Sequence, residues 1–381
     1  MYARLTRGKN FYVERAVSSV DHCFGLLGHP ASYEHLTTLF NRDRPNFSSE
    51  KFVKHRAMIE KLFEWAPPYV SEHDLQVRSG TRTARGKLLV APFLPGWLDS
   101  PRQLALARQK TSAACELAAR EQVEVLTLGG FTSIIAATGP IQTPGLRITS
   151  GNTLTSAMAL GQIEAVLAEL EVESRELHVA IVGASGDIGT ACARALQRRF
   201  RQLTLIGRNR HKLSLLAQNL GASNIEISTD PHAALHAHVI VFATSSPVPL
   251  LSEDELAPGT IVCDIGFPKT LGRTRQRSDV LIFPGGIAHI PFALSIEHVT
   301  QLDNPHYLFG CFTEAIVLAL SGRLDATPKV GVPVCSDTMS ELSKLANELG
   351  IQPAATWRDH GPPEFGHALR LRLQGAQQIA S

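Results

Sequence analysis

The sequence predicts an α/β protein: a central Rossmann-type parallel sheet domain, an N-terminal α/β substrate domain before it, and a C-terminal helical segment after it. Three observations carry that expectation. From His178 onward, apolar strand-like runs alternate with helical patterns in "HVAIVGA", "IGTACARALQRR", "QLTLIGR", "HKLSLLAQNL", "HVIVFAT", "TIVCDIG" and "VLIFPGG", which implies βαβ units around a parallel sheet. A glycine triplet sits at the first strand-to-helix turn of that series. Ahead of it, "SGNTLTSAMALGQIEAVLAEL" supplies capping residues followed by apolar positions at helical spacing, so a long helix connects the first segment to the second. The expected boundaries are an N-terminal extension over 1–20, a substrate domain over 21–150, the nucleotide-binding domain with its connecting helix over 151–302, and a helical segment with a tail over 303–381.

Composition narrows the class. The chain has 381 residues, 44% hydrophobic and 19% charged, enough for an ordinary core divided among two or three domains. With 37 basic and 35 acidic side chains its formal charge is +2, which gives no electrostatic case for nucleic acid as the main partner. No apolar run approaches the roughly 18 residues of a membrane span, and no signal-type apolar region is seen, so the expected compartment is the cytoplasm with at most peripheral membrane contact. The first twenty residues set Arg4, Arg7, Lys9 and Arg15 against Glu14 and read as a solvated tail, or else a weak surface-binding arm.

In the first segment, "VEVLTLGGFTSI" reads as a strand, Val123 to Leu128, running into a glycine turn at Gly129 and Gly130. Such turns at strand ends are common ligand sites in open α/β sheets. In the second, "VAIVGASGDIGTACARAL" spaces Gly183, Gly186 and Gly189 between a strand and a helix. Gly183 permits the sharp turn, Gly186 admits a pyrophosphate to the backbone, and Gly189 lets the helix lie close to the sheet; Ser185, Asp187 and Ile188 complete the cofactor-binding loop. The next strand, in "LTLIGRNRHKL", ends at Arg208 and Asn209 where an acidic residue would select NAD. An arginine there suits a 2′-phosphate, so the expected cofactor is NADPH. Lys269 in "GFPK" is expected to reach a cofactor phosphate or the substrate, or to be solvated.

Six cysteines are spread without C-x-x-C or zinc-like spacing, so neither a disulfide framework nor a metal site is expected. Cys115, Cys192 and Cys263 fall among apolar positions and read as packing residues. Cys311 differs, because in "YLFGCFTEAIVLAL" it falls at the start of an apolar helix. The positive end of the helix dipole favours a thiolate there, Gly310 removes bulk beside the sulfur, and Glu314 reads as a helix-capping acid rather than a catalytic one. On these grounds Cys311 is either a nucleophile or a packing residue. A thiol with a nicotinamide cofactor fits acyl transfer followed by reduction.

The chain resembles the long-chain acyl-[acyl-carrier-protein] reductases, the fatty aldehyde-forming family of cyanobacteria. The resemblance rests on "FGLLGH" at Phe24, "LGGFTSI" at Leu128, "TSGNTLT" at Thr149, "GASGDIG" at Gly183, "GRNR" at Gly207, "DIGFPK" at Asp264, "PGGI" at Pro284 and "GCFTEAI" at Gly310, in the family's order. It implies a central NADPH-binding domain and places the family's acyl-accepting cysteine on Cys311. Acyl carrier protein or acyl-CoA is the implied acyl donor, and an aldehyde-consuming enzyme a possible partner. Within the matching motifs, Ser133 and Asn152 are candidates to donate to the acyl carbonyl oxygen, and His289 is a candidate general acid, although "GGIAHIPFA" sets it out of register with the family's histidine. The competing expectations are a dehydrogenase of small hydroxy or amino acids in which Lys269 or His289 moves the proton and Cys311 only packs, and an NADP-sensing protein without turnover.

Overall fold

The protein is described from a computed structural model, which covers residues 21–32, 35–36, 54–139, 141–246, 248–272, 277–358 and 365–380. The extension expected over 1–20 lies outside the described residues.

The N-terminal sheet contains β1 (His22–Gly28), β2 (Tyr69–Ser79), β3 (Arg82–Val90), β4 (Val125–Leu128) and β5 (Arg147–Thr149) in the order β2-β3-β1-β4-β5. Only β2 runs antiparallel, as the partner of β3. The unbroken apolar run Phe24 to Leu27 suits a parallel strand covered on both faces. One face carries α1 (Arg56–Trp65), α2 (Pro101–Arg120) and α3 (Phe131–Ala137), with Leu27, Leu89, Leu126, Ala114, Cys115 and Phe131 in one buried cluster.

The connecting helix α4 (Asn152–Glu169) starts at Gly151, whose φ of 70° is left-handed, and carries eleven buried residues. A helix so apolar all round belongs in an interior. It leads into β6 (His178–Val182), α5 (Asp187–Leu196), β7 (Gln202–Ile206), α6 (Arg210–Leu220), β8 (Ile225–Ser228), β9 (Val239–Phe242), the short β10 (Leu251–Ser252), β11 (Ile261–Asp264), the short β12 (Leu271–Gly272) and β13 (Leu281–Pro284). Six of these strands form an all-parallel sheet in the order β13-β11-β9-β6-β7-β8. The third strand of the series is outermost on one side, the sixth on the other, and the order reverses between β6 and β9. That is the doubly wound arrangement, whose ligands bind outside the carboxyl ends of the strands at the reversal.

The chain then returns. β14 (Ile287–His289) pairs with β15 (Tyr307–Phe309) and β16 (Gln352–Pro353), and the segment also holds the short α7 (Glu297–Thr300), α8 (Gly310–Ser321) and α9 (Ser336–Glu348). α8 lies against α4 and across β1, β3 and β4. Phe312, Ile316 and Leu320 share a buried cluster with Phe24, Leu26, Leu88 and Val125, so the C-terminal segment covers the second face of the N-terminal sheet. Gln162 pins the long helix to this return, its Oε1 accepting the Gly286 N–H at 2.8 Å and its Nε2 donating to the Ala354 carbonyl at 3.0 Å.

The Gly, Pro and Gln-containing tail carries no clear helical signal, yet residues 365–380 form α10. Its Phe365 and Leu369 are buried in the core of the six-stranded sheet. The Arg372 guanidinium donates to Thr260 Oγ1 at 2.7 Å and to the Ala237 carbonyl at 2.9 Å.

Candidate functional site

Cys311 is the second residue of α8, at the carboxyl edge of the N-terminal sheet. Thr127 Oγ1 of β4 donates to the Cys311 carbonyl at 2.6 Å. Gly151 lies against it so closely that a Cβ there would stand 2.2 Å from Cys311 Cα. The backbone N–H groups of Phe312 and Gly130 turn toward the sulfur. The glycine turn after β4 thus serves the thiol, and α8 begins where it delivers the cysteine to that turn.

The electrostatics differ from the sequence expectation. Burial pushes the Cys311 thiol up to about 12, the Glu314 carboxylate adds to the rise, and the Phe312 and Gly130 N–H groups offset only part of it. Desolvation penalises the thiolate more than one helix terminus stabilises it. The resting residue is therefore a thiol. Gly310 also has another purpose than admitting an electrophile: a Cβ there would meet Thr155 Cα at 2.6 Å, so its missing side chain lets α8 lie against α4.

The cysteine at a true N-cap is Cys335, which sequence reasoning passed over although "CSDT" before a helical pattern signalled it. It is exposed, and its sulfur accepts the Thr338 N–H at 3.4 Å and lies 2.9 Å from Thr338 Oγ1. The side-chain and backbone hydrogen bonds from Thr338 hold its pKa below the ordinary value. Iodoacetamide should therefore label Cys335 before Cys311, and labelling of Cys311 should speed up about tenfold for each pH unit below its pKa. Peptide mapping over a pH series reads both, and faster labelling of Cys311 at neutral pH would refute the assignment.

Glu314 is fully buried and caps a helix other than its own. It accepts the Leu154 N–H at 2.8 Å and the hydroxyl of Thr149, with the Gly151 and Thr153 N–H groups also turned to it, so it closes the N-terminus of α4. Burial raises its pKa from 4.5 to about 7 against those donors. The folded protein thus keeps this proton through a range in which the unfolded chain has lost it, and stability falls as pH rises from 4.5 to about 7. Glu314→Gln should flatten that part of the stability curve, read by thermal unfolding across pH; an unchanged slope would mean the carboxyl is ionised throughout.

His29, in the first motif, is another residue the sequence reading did not select. Its Nδ1 donates to the Pro30 carbonyl at 2.9 Å and its Nε2 accepts the Phe131 N–H at 2.9 Å, while the ring stacks on Phe93. Burial lowers its pKa to about 4, so it is a neutral brace for the Gly130 turn.

The predicted donors are already engaged. Ser133 Oγ donates to the Gly130 carbonyl at 2.8 Å, within the turn. Asn152 Nδ2 donates to Asp187 Oδ2 at 3.2 Å, which ties the start of α4 to the first residue of α5. His289 is exposed on β14, its ring neighbours are His306 and Tyr307, and among the described residues no hydrogen bond links it to Cys311. Lys269 is exposed as a residue, yet its ammonium donates to the Asp264 carbonyl at 2.7 Å, and burial of that ammonium lowers its pKa.

The glycine loop has the geometry a dinucleotide requires. Gly183 has a φ of 90°, and a Cβ there would lie 2.4 Å from the Ala243 carbonyl oxygen at the reversal of strand order. A Cβ on Gly189 would lie 2.2 Å from the Gly183 oxygen, so its absence sets the approach of helix to strand. Gly186 is exposed, and a Cβ there would meet nothing nearer than 3.4 Å. Its open side and the N-terminus of α5 form a cradle that fits a pyrophosphate. Ile188 packs into the core behind it. Ser185 Oγ stands beside Gly207, and Asn209 caps α6 through the Lys212 N–H at 3.0 Å. Arg208 between them is exposed and has no side-chain partner among the described residues. The residues present therefore fit a nicotinamide dinucleotide.

Among the described residues no helix is long and apolar enough to cross a membrane, and no group of three or more His, Cys, Asp or Glu is arranged to hold a metal ion.

Known proteins agree with this architecture. Residues 166–282 match the family model for shikimate / quinate 5-dehydrogenase, a span lying over the parallel sheet. The chain is 29% identical over 349 residues to the long-chain acyl-[acyl-carrier-protein] reductase of Synechococcus elongatus, a match that takes in 87% of this chain and 99% of that one. It is 26% identical over 354 residues to the aminotransferase PigE of a Serratia species, covering 88% of this chain and 40% of that protein. A shorter match, 27% over 130 residues, joins 33% of the chain to 33% of the glutamyl-tRNA reductase of Methanocaldococcus jannaschii. The chain is an oxidoreductase with a nicotinamide-dinucleotide fold, and over nearly its whole length it is similar to the long-chain acyl-[acyl-carrier-protein] reductases.

Proposed function

We propose that the protein is an NADPH-dependent reductase that converts a fatty acyl thioester to an aldehyde through an acyl-enzyme on Cys311. The observation that carries this reading is a lone thiol faced by two backbone N–H groups at one sheet edge, joined through Asn152 to the dinucleotide loop. The acyl donor is an acyl carrier protein or acyl-CoA, an aldehyde-consuming enzyme is the natural recipient of the product, and the compartment is the cytoplasm.

In the first half-reaction the Cys311 sulfur bonds to the thioester carbonyl carbon, the carbon–sulfur bond to the carrier breaks, and the carrier leaves as a thiol. Because Cys311 starts protonated, its proton must depart as the sulfur attacks, and the leaving thiolate can take it up. The Gly130 and Phe312 N–H groups, released from the sulfur, can face the negative charge that develops on the carbonyl oxygen. Ser133 and Asn152 then act by holding the turn and the helix start. The glycine loop would hold the cofactor, whose chemistry there would be hydride donation to the acyl carbon. Collapse of the resulting hemithioacetal anion would break the bond to sulfur and release aldehyde, and the sulfur would then take one proton from solvent to return to the thiol.

Cofactor choice rests on Arg208. Arg208→Ala should weaken NADPH binding by about 1.5–3 kcal/mol, the range for hydrogen bonds to charged groups, with NADH binding unchanged. Fluorescence titration of both nucleotides tests this, and an equal loss for both would remove the assignment. The activity itself is tested by aldehyde formation from a panel of acyl thioesters with NADPH; turnover of small hydroxy or amino acids instead would support a dehydrogenase.

A further inference from the structure

In a doubly wound sheet the crossover from the third to the fourth strand usually carries a helix that covers the sheet face. Here the six-residue 3-10 turn Pro231–His236 is the helical element between β8 and β9. Beneath it a cleft of about 350 Å³ opens over the outer strands, with His178, Arg201, Thr204, Glu226, His236 and His238 in its walls. His178 begins β6, whereas the glycine loop follows Val182 at the other end of the same strand, so this cleft is separate from the dinucleotide site. We propose that it binds a small dianionic oxyanion, phosphate or the phosphoryl group of a metabolite.

Two observations carry the assignment. The first is a hydrogen-bond donor with no acceptor. His238 is 5% exposed, and its Nδ1 accepts the His178 N–H at 3.1 Å, which puts the proton of the neutral ring on Nε2. That Nε2–H has no protein partner among the described residues, and because His238 lines the cleft it is not sealed in the core but open to a ligand there. His178 is saturated by contrast, with one nitrogen on the His236 carbonyl and Nε2 on Thr204 Oγ1 at 2.8 Å.

The second observation is charge. The Arg201 side chain stands at the rim with no hydrogen bond or ion pair among the described residues. Arg372 of α10 lies alongside, bonded to the His236 and Ala237 carbonyls. His238 feels Arg372, His178 and Arg201 together, and with burial as the larger cause its pKa is lowered to about 4. Glu226 of β8 is the carboxylate in the wall, where Arg201 is the opposing cation, with Arg372 outside the lining. An oxyanion would accept from His238 Nε2 and pair with Arg201. It would also favour protonation of His178 and His238, so binding should tighten as pH falls.

Sulfate is the probe, since its charge is constant through this pH range. Histidine ring resonances are followed by NMR during titration of the full chain, against chloride at matched ionic strength, with and without NADPH. Saturable shifts of His238 and His178 are expected, tighter at lower pH and indifferent to NADPH. Arg201→Ser, on the exposed rim, should raise the dissociation constant about tenfold or more. His238→Asn, whose Oδ1 can still accept the His178 N–H, should do the same, and Glu226→Gln should tighten binding. Phosphate and a phosphomonoester then separate the sources: tighter binding of the ester assigns the site to a metabolite, equal affinity to free phosphate. Absence of saturation, or equal saturation in wild type and the Arg201 and His238 variants, overturns the proposal.

Discussion

Gly186→Val should abolish NADPH binding and leave the fold and the thiol chemistry intact. The backbone at Gly186 has φ −83° and ψ 169°, a conformation valine adopts readily, so substitution brings no backbone strain. Nor does the protein crowd the new side chain, because the first atom a Cβ meets is the Gly183 oxygen at 3.4 Å. The side chain would instead occupy the space in which a pyrophosphate meets the N–H groups of α5. Gly183 and Gly189 make poor controls, since a Cβ at either collides with backbone and would disturb the turn itself. Nucleotide titration and thermal unfolding, run together, separate the outcomes: lost binding with an unchanged melting temperature is expected, and retained affinity would move the cofactor elsewhere.

The second large effect is at sulfur. Cys311→Ser should lower aldehyde formation on the order of a thousandfold or more, the scale for removing a covalent nucleophile. Sulfur and oxygen differ little in size, so NADPH affinity and stability should hold. The burial that raises the thiol to about 12 would put a serine hydroxyl further out of reach, and two backbone N–H groups cannot recover that difference. Cys115, Cys192 and Cys263 are buried with pKa values pushed up by burial, and their replacement by alanine should cost stability rather than activity. Steady-state aldehyde assays with each variant decide the matter; an active Cys311→Ser enzyme would assign the chemistry to another group.

The parts of the molecule legible in the sequence are those determined over short distances. The six-stranded sheet announces itself by alternating apolar runs, and Gly189 has the steric role its spacing implies because it acts on Gly183, a few residues away, whereas Gly183 is confined by Ala243 of a distant part of the chain. Cys311 does sit in the first turn of its helix, again a local matter. Its ionisation was not legible, since the dipole belongs to the helix but the desolvation comes from Gly151, Gly130 and the sheet beneath. The position of Glu314 marks it as a cap, and it is one, but for a helix whose Leu154 lies 160 residues earlier in the chain. The glycine turn before His289 suggests a site residue, but pairing with both Tyr307 and Gln352 sets it, exposed, on the middle strand of the three-stranded sheet.

The central claim is that Cys311 takes the acyl group before any reduction occurs. Its most direct test is intact-protein mass after exposure to a long-chain acyl thioester with no nicotinamide cofactor present, followed by peptide mapping. The account predicts one added acyl mass on Cys311 with release of the carrier thiol, and its discharge as aldehyde when NADPH is supplied. No adduct under these conditions, or an acyl group mapped to Cys335 or any other residue, would contradict it.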